Sequence, residues 1–200
     1  MKLLFAILIG YLIGSVPFAL VIGKVFYKTD IREHGSGNLG GTNAGRVLGA
    51  KAGIAVSVFD VLKGAIAMAL VSFISPEHII YAGFFATLGH CFPIYAKFKG
   101  GKAVSTAVGF LLGITIFLTH RPILHFVVPI ATFFGLLYLT KMVSLSAMSS
   151  LVVASIILLF TQNDLRITLT FFIITCIVIY RHKENIKRII NKEESKITWM

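Results

Sequence analysis

Charge is what this chain has least of. Charged residues fill 14% of its 200 positions and only eight of them are acidic, where an ordinary soluble domain carries about 25%. That deficit excludes a water-facing globular surface, and a mean hydropathy of +0.88 points to lipid as the solvent. No polar stretch reaches the roughly 50 residues that a separate soluble domain needs, so one polytopic membrane domain is expected over 1–200, with 181–200 as a basic tail. Cys91 and Cys176 sit in apolar runs without a paired spacing, and they read as small buried hydrophobes, neither disulfide nor metal ligands. The few carboxylates form no Asp-rich magnesium cluster, and no His-Cys grouping suits zinc. No metal and no cofactor is therefore expected. A nucleophile elbow is also missing, and the first apolar run follows Lys2 without a small-x-small cleavage site, which argues for a retained helix over a removable leader.

What the chain does have is long apolar runs. A spanning helix needs about 20 apolar residues to cross a core about 30 Å thick, because every buried amide must bond internally. Seven segments qualify: 3–23, 52–74, 78–95, 103–119, 122–140, 143–161 and 165–180. The expected fold is an all-α integral membrane protein of seven transmembrane helices. Positive loops stay in the cytoplasm, and one side collects nearly every cation: Lys24, Lys28, Arg32, Arg46 and Lys51 after the first span, Lys97, Lys99 and Lys102 after the third, then Lys141 and the tail from Arg181 to Lys196. The other side keeps Lys2, Arg121 and Arg166. This places the N-terminus outside and the C-terminus in the cytoplasm. The net charge of +11 becomes a property of the cytoplasmic face of an inner, or plasma, membrane, and no nucleic-acid partner is implied. In the tail, anchoring to anionic head groups accounts for the cations, at about 1 kcal/mol each.

Glycine is placed where a ligand would need bare backbone. The stretch from Gly35 to Arg46, GSGNLGGTNAGR, exposes amides, adds Ser36, Asn38, Thr42 and Asn43 as donors, and ends on the planar fork of Arg46; an oxyanion is its natural guest. Residues 35–40 match G-x-G-x-x-G, but that pattern means dinucleotide binding only after a strand, and here it follows a membrane helix. A flexible hairpin is the bland alternative. A second cluster joins Gly89-His90-Cys91-Phe92-Pro93 to Lys97-Phe98-Lys99-Gly100-Gly101-Lys102-Ala103. If Gly100 to Lys102 open the fourth helix, its free amides and positive end favour a phosphate. It is not a P-loop: Ala96 stands where the first glycine belongs and Ala103 follows the lysine. The third cluster, Arg181-His182-Lys183-Glu184-Asn185-Ile186-Lys187-Arg188, puts His182 and Asn185 on one face of a helical continuation; alone it reads as a basic juxtamembrane helix.

Inside the second span, Asp60 and Lys63 are three residues apart and able to neutralise each other, which intramembrane charges require. They read as a structural or supporting pair. His90 either titrates or is a hydrogen-bonded structural histidine. Ser144 and Ser146 either cap the sixth span or contact a ligand. His120 and His125 receive no role.

Together, Gly35 to Arg46, Gly89 to Thr106 and Arg181 to Arg188 resemble the three cytoplasmic motifs of the PlsY family, the acyl-phosphate:glycerol-3-phosphate acyltransferases, and Gly14-Ser15-Val16-Pro17 and Asp60 with Lys63-Gly64 extend the likeness over most of the chain. The resemblance implies seven helices with the N-terminus outside. It also implies transfer of a fatty acyl group from acyl-phosphate to the 1-hydroxyl of glycerol-3-phosphate, giving lysophosphatidic acid and inorganic phosphate at the cytoplasmic face as the first step of phospholipid synthesis. The His-x-x-x-x-Asp arrangement of the other glycerol-phosphate acyltransferase class is absent. By resemblance Arg46, Lys102, His182 and Asn185 are catalytic, and Ser36, Gly37, Asn38, Thr42, Asn43, His90, Lys99, Gly100, Gly101, Ser144 and Arg188 bind substrate; the partners are acyl-phosphate, glycerol-3-phosphate and membrane lipid. The hydroxyl proton goes to His182 or to a substrate phosphate oxygen, a choice left open here. One departure is Ala103, where the family usually has glycine. The rival from another class is a transporter of a phosphorylated or anionic solute, which predicts internal repeats and a midplane site; neither is seen in the sequence. A lipid-binding structural protein is the second rival.

Overall fold

The computed structural model describes residues 1–197, so the tail expected over 181–200 is seen as far as Ile197 and its last three positions lie outside the described residues. Each of the seven apolar segments is helical. The first is α1 (Lys2–Gly14) and α2 (Phe18–Tyr27), interrupted at Pro17. A short helix in the following loop, α3 (Gly41–Leu48), precedes α4 (Ala50–Ile74). Then come α5 (Ile79–Cys91) and α6 (Val104–Ile114). Next are α7 (Val128–Thr140), α8 (Val143–Thr161), α9 (Leu165–Arg181) and the short α10 (Lys183–Ile190). Among the described residues, five helical stretches are individually long and apolar enough to cross a bilayer, and α9 with α10, bent by 59°, makes a sixth if counted as one. This is an all-helical integral membrane fold.

The chain forms two compact units, one from Met1 to Gly113 and one from Ile114 onward. In the first, α1 and α5 pack backbone to backbone. A methyl at Gly14 would fall on the Ala86 carbonyl, and one at Gly10 on the Ala82 carbonyl. Lipid tails are as apolar as leucine, so helices in a membrane gain from close approach of small residues; Gly10 and Gly14, four apart, give α1 such a face. Gly109 meets the Val61 carbonyl in the same way, joining α6 to α4. Where α2 runs into the glycine-rich loop, an apolar cluster fixes the loops: Ala19, Leu20 and Ile22 of α2 pack with Ile31, Leu39, Ala44, Val56 and Ala96.

In the second unit, π-helical turns Thr115–Thr119 and Ile123–Val127 flank a sharp connection. His125 is buried there between Thr119 Oγ1 at 2.7 Å and Thr161 Oγ1 at 2.8 Å, a hydrogen-bonded structural histidine. Ser150 Oγ donates to the Pro129 carbonyl and Ser155 bonds Thr175. These interhelical bonds hold α7, α8 and α9, where no hydrophobic force acts between helices.

Candidate active site

In the first unit the glycine-rich stretch from Gly35 to Arg46 is ordered, and Asn43 orders it. Its side chain is 2% exposed. Oδ1 accepts the Ser36 N–H at 2.9 Å, while Nδ2 donates to the His34 and Ile31 carbonyls at 3.2 and 3.4 Å. Gly35 and Gly37 have φ of +61° and +66°, the left-handed region that glycine enters without penalty, and they let the loop curl over Asn43. The second half of the stretch is helical. Gly41 and Gly45 face Gly53 and Ser57 of α4 so closely that a side chain at Gly41 would strike Ser57; glycine is used here for helix contact as well as for bare amides. Ser36, Thr42 and Arg46 are exposed, with Gly37 and Asn38 partly so.

Electrostatics leave the loop cationic. Asp30 is paired with Arg32 at 2.6 Å and Lys24 at 3.2 Å. The Arg32 hydrogen bonds outweigh burial and hold its carboxyl well below the usual carboxylate range. Among the described residues no carboxylate pairs with Arg46, whose charge is thus available to an incoming anion.

The second cluster is built on left-handed turns. Lys97, Phe98 and Ala103 have φ of +53°, +59° and +61°. The last of these changes one expectation: α6 begins at Val104, so Gly100 to Lys102 lie before the helix and do not form its first turn. Ala103 in the left-handed region cannot be a helical residue, and this ends the helix there. Gly100 and Gly101 instead lie flat on His90. The Gly101 N–H donates to the His90 carbonyl at 3.1 Å, and a methyl at Gly101 would fall on the imidazole. Lys102 is half-buried and Lys99 exposed.

Beneath the turn, Asp60 and Lys63 pair at 2.7 Å with both side chains 2% exposed. Lys63 Nζ also lies 2.8 Å from His90 Nδ1 and donates to the Val16 carbonyl at 3.0 Å. The break at Pro17 frees that carbonyl, since proline ends the regular i to i−4 pattern. The supporting pair read from spacing is therefore a three-residue cluster, and His90 serves it from within the fold. A narrow crevice lined by Gly14, Val16, Pro17, Leu39, Lys63, His90 and Pro93 sets Leu39 of the first cluster near His90 and Pro93 of the second.

In the second unit, His182 ends α9 and is 4% exposed. Its Nδ1 lies 2.8 Å from the Val178 carbonyl. A carbonyl only accepts, so Nδ1 carries a proton, and in the neutral ring the lone pair is on Nε2. The helical continuation expected there is α10, bent by 59° from α9 at His182. Ser144, Asn185 and Arg188 converge on one carboxylate that sequence reasoning missed: Glu194 accepts from Ser144 Oγ and Asn185 Nδ2, each at 2.6 Å, and from Arg188 Nε at 2.8 Å. Burial opposes ionisation of Glu194, but the three donors outweigh it and hold the carboxyl below its ordinary range. The only signal in the sequence is an acid within a basic tail. Ser146 does not cap α8; its hydroxyl donates to the Met142 carbonyl one turn back.

The fold defines a polytopic helical membrane protein, and its first unit carries a cationic, glycine-rich loop. The family model for glycerol-3-phosphate acyltransferase matches residues 4–192. A glycerol-3-phosphate acyltransferase of Bacillus subtilis (strain 168) is 50% identical over 195 residues, covering 97% of each chain. One of Geobacillus kaustophilus (strain HTA426) is 46% identical over 194 residues, covering 96% of this chain and 95% of its own. A crystal structure of PlsY, an integral membrane glycerol 3-phosphate acyltransferase in its glycerol 3-phosphate form, superposes with a TM-score of 0.89 at 30% identity, over 99% of this chain and 96% of that one. A second structure, of the lysophosphatidic acid form, gives 0.86. The chain belongs to the glycerol-3-phosphate acyltransferase family.

Proposed function

We propose that this chain transfers a fatty acyl group from acyl-phosphate to the 1-hydroxyl of glycerol-3-phosphate, releasing inorganic phosphate and lysophosphatidic acid at the cytoplasmic face of a plasma membrane. The observation that carries the reading is a cationic loop, held by Asn43 and ending on Arg46, beside the glycine turn that leads into Lys102, in a chain matching its family over nearly its whole length. Seven spans in one domain, with the N-terminus outside, follow from the positive-inside bias.

The chemistry suits such a site. Acyl-phosphate is a mixed anhydride and already activated, so the protein has to bring a hydroxyl to the carbonyl carbon and stabilise the charge that develops there. The hydroxyl oxygen bonds to the carbonyl carbon, the bond from that carbon to the phosphate oxygen breaks, and phosphate leaves. Arg46 and Lys102 neutralise phosphate groups, with Ser36, Gly37, Asn38, Thr42, Lys99, Gly100 and Gly101 completing the contacts. Asn43 acts through the loop it holds, and His90 through the turn above it. His182, with its Nδ1 proton committed to a carbonyl, offers Nε2 to the hydroxyl proton; Asn185, Ser144 and Arg188 serve the same reaction. No cofactor is required by this chemistry.

Purified protein in detergent is expected to release phosphate from acyl-phosphate only when glycerol-3-phosphate is present, with neither metal nor acyl-CoA added. Dependence on acyl-CoA overturns the donor assignment. Arg46→Ala and Lys102→Ala are each expected to lower kcat/KM by roughly tenfold or more, as loss of a charge-assisted bond to phosphate requires; a folded variant with normal activity places the site elsewhere. His182→Ala is expected to lose about 10²-fold or more in kcat, and unchanged turnover and pH dependence pass the proton to the phosphate.

A further inference from the structure

The buried Asp60, Lys63 and His90 cluster has a direction that the transfer chemistry above does not use. The Lys63 ammonium forms an ion pair with Asp60 Oδ1 at 2.7 Å, donates to the Val16 carbonyl at 3.0 Å and lies 2.8 Å from His90 Nδ1, itself 3.4 Å from the same Asp60 oxygen. An ammonium has no lone pair, so at the imidazole it can only donate. His90 Nδ1 must then be the acceptor, and the ring proton must sit on Nε2. A second proton on Nδ1 would set two cations and two donors face to face at 2.8 Å. The Nε2 edge is the one that lies against Gly101, immediately before Lys102. Among the described residues, the charged groups recorded against the ring's Nδ1 edge are Asp60 and Lys63 of α4, with Asp60 Oδ1 at 3.4 Å and Lys63 Nζ at 2.8 Å; Lys102 follows the Gly101 that lies on the opposite edge.

We infer that Asp60 and Lys63 are positioning residues for acyl transfer: they lock His90 as a neutral imidazole protonated on Nε2, and this ring seats the Gly100-Gly101 turn so that Lys102 is held in place for a substrate phosphate. Asp60 keeps Lys63 charged within the bilayer, where a lone ammonium would be costly. Lys63 fixes the tautomer, and the tautomer fixes a donor edge beneath the glycine turn. The inference rests on the proposed acyltransferase reaction for its functional readout but not for its structural one.

The structural readout uses the unaltered protein. In detergent, ¹⁵N shifts of the His90 ring, identified by loss of the signal from a His90→Gln sample or by through-space contacts to Lys63, are expected to show the Nε2-protonated neutral form unchanged from pH 5 to pH 8. A Nδ1-protonated or doubly protonated ring in that range overturns the inference. The functional readout uses Asp60→Asn with Lys63→Met, which removes both charges together and leaves neither buried alone. The pair is expected to lower kcat/KM for glycerol-3-phosphate by roughly ten- to hundredfold through misplacement of the turn. It is also expected to add an acid limb near the ordinary histidine value of about 6.5, absent from the wild type. A merely structural role lowers the yield of folded protein and leaves KM and the pH profile as they were, and that outcome overturns the proposal too. If the wild type itself turns over no acyl-phosphate, the reaction assignment fails while the ring measurement still decides the tautomer.

Discussion

Replacing Asn43 by Asp keeps the shape of the side chain and changes only its chemistry, which makes it a clean probe of the loop. In the wild type Nδ2 serves the carbonyls of Ile31 and His34. In Asn43→Asp those carbonyls would face an oxygen, in a site 2% exposed. The Ser36 N–H bond to Oδ1 survives, so the loop has something to hold on to. Burial and the two facing carbonyls disfavour the ionised form, and an upward pKa shift of about two units is the scale expected, equivalent to about 2.7 kcal/mol once the group is fully ionised. The sign follows from linkage. A carboxyl whose folded pKa is raised from about 3.9 to about 6 contributes almost no penalty below 3.9, and loses stability as pH rises, about 1.5 kcal/mol of it by pH 5 and the rest by about pH 7. For a chain of this size the variant should melt roughly 5–10 °C below the wild type at pH 8 and about half as far below at pH 5. Thermal unfolding in one detergent at both pH values measures this, with tryptic cleavage at Arg32 as a local reporter. Equal melting of variant and wild type at pH 8, or a larger deficit at pH 5 than at pH 8, would refute the buried three-bond role of Asn43.

Three other substitutions test other parts of the fold. Gly14→Val should cost about 3 kcal/mol or more, because the side chain meets the Ala86 backbone and α1 cannot move away without losing α5; the yield of folded protein after detergent extraction reports it. Glu194→Ala strands three donors and should cost about 2–3 kcal/mol, visible as faster tryptic cleavage in the tail. Because the Glu194 carboxyl is held below its ordinary range, the wild-type tail should be secure at neutral pH and lose this anchor as pH falls through that lowered value. Ala103→Gly removes about 1 kcal/mol of left-handed strain but also a buried methyl worth about 0.8 kcal/mol and adds unfolded-state freedom worth about 0.4–1 kcal/mol, so melting should shift by no more than a few degrees.

The seven apolar segments were legible because hydropathy reports solvent, and lipid leaves a strong mark. Spacing was enough to pair Asp60 with Lys63, since i and i+3 share a helix face whatever surrounds it. It could not supply His90, 27 residues further on, because hydropathy says nothing about which helices are neighbours. Glu194 was hidden for the same reason, reaching Ser144 across 50 positions of sequence. The glycines misled in part. Gly41 and Gly45 read as loop, yet they are helical, since glycine permits close helix contact as readily as a turn and composition does not distinguish the two. Gly10 passed unremarked and Gly14 entered only through the family likeness, although together they set the approach of α1 to α5.

The interruption at Pro17 also bears on how the protein sits in membranes of different composition. Lys2–Tyr27 comprises 26 residues and would run about 39 Å as a straight rod, some 9 Å more than a typical hydrocarbon core. A joint partway along lets α1 and α2 take different tilts, each set by its own packing, and so take up that surplus, so turnover should vary little when the same protein is reconstituted into thinner or thicker synthetic lipids.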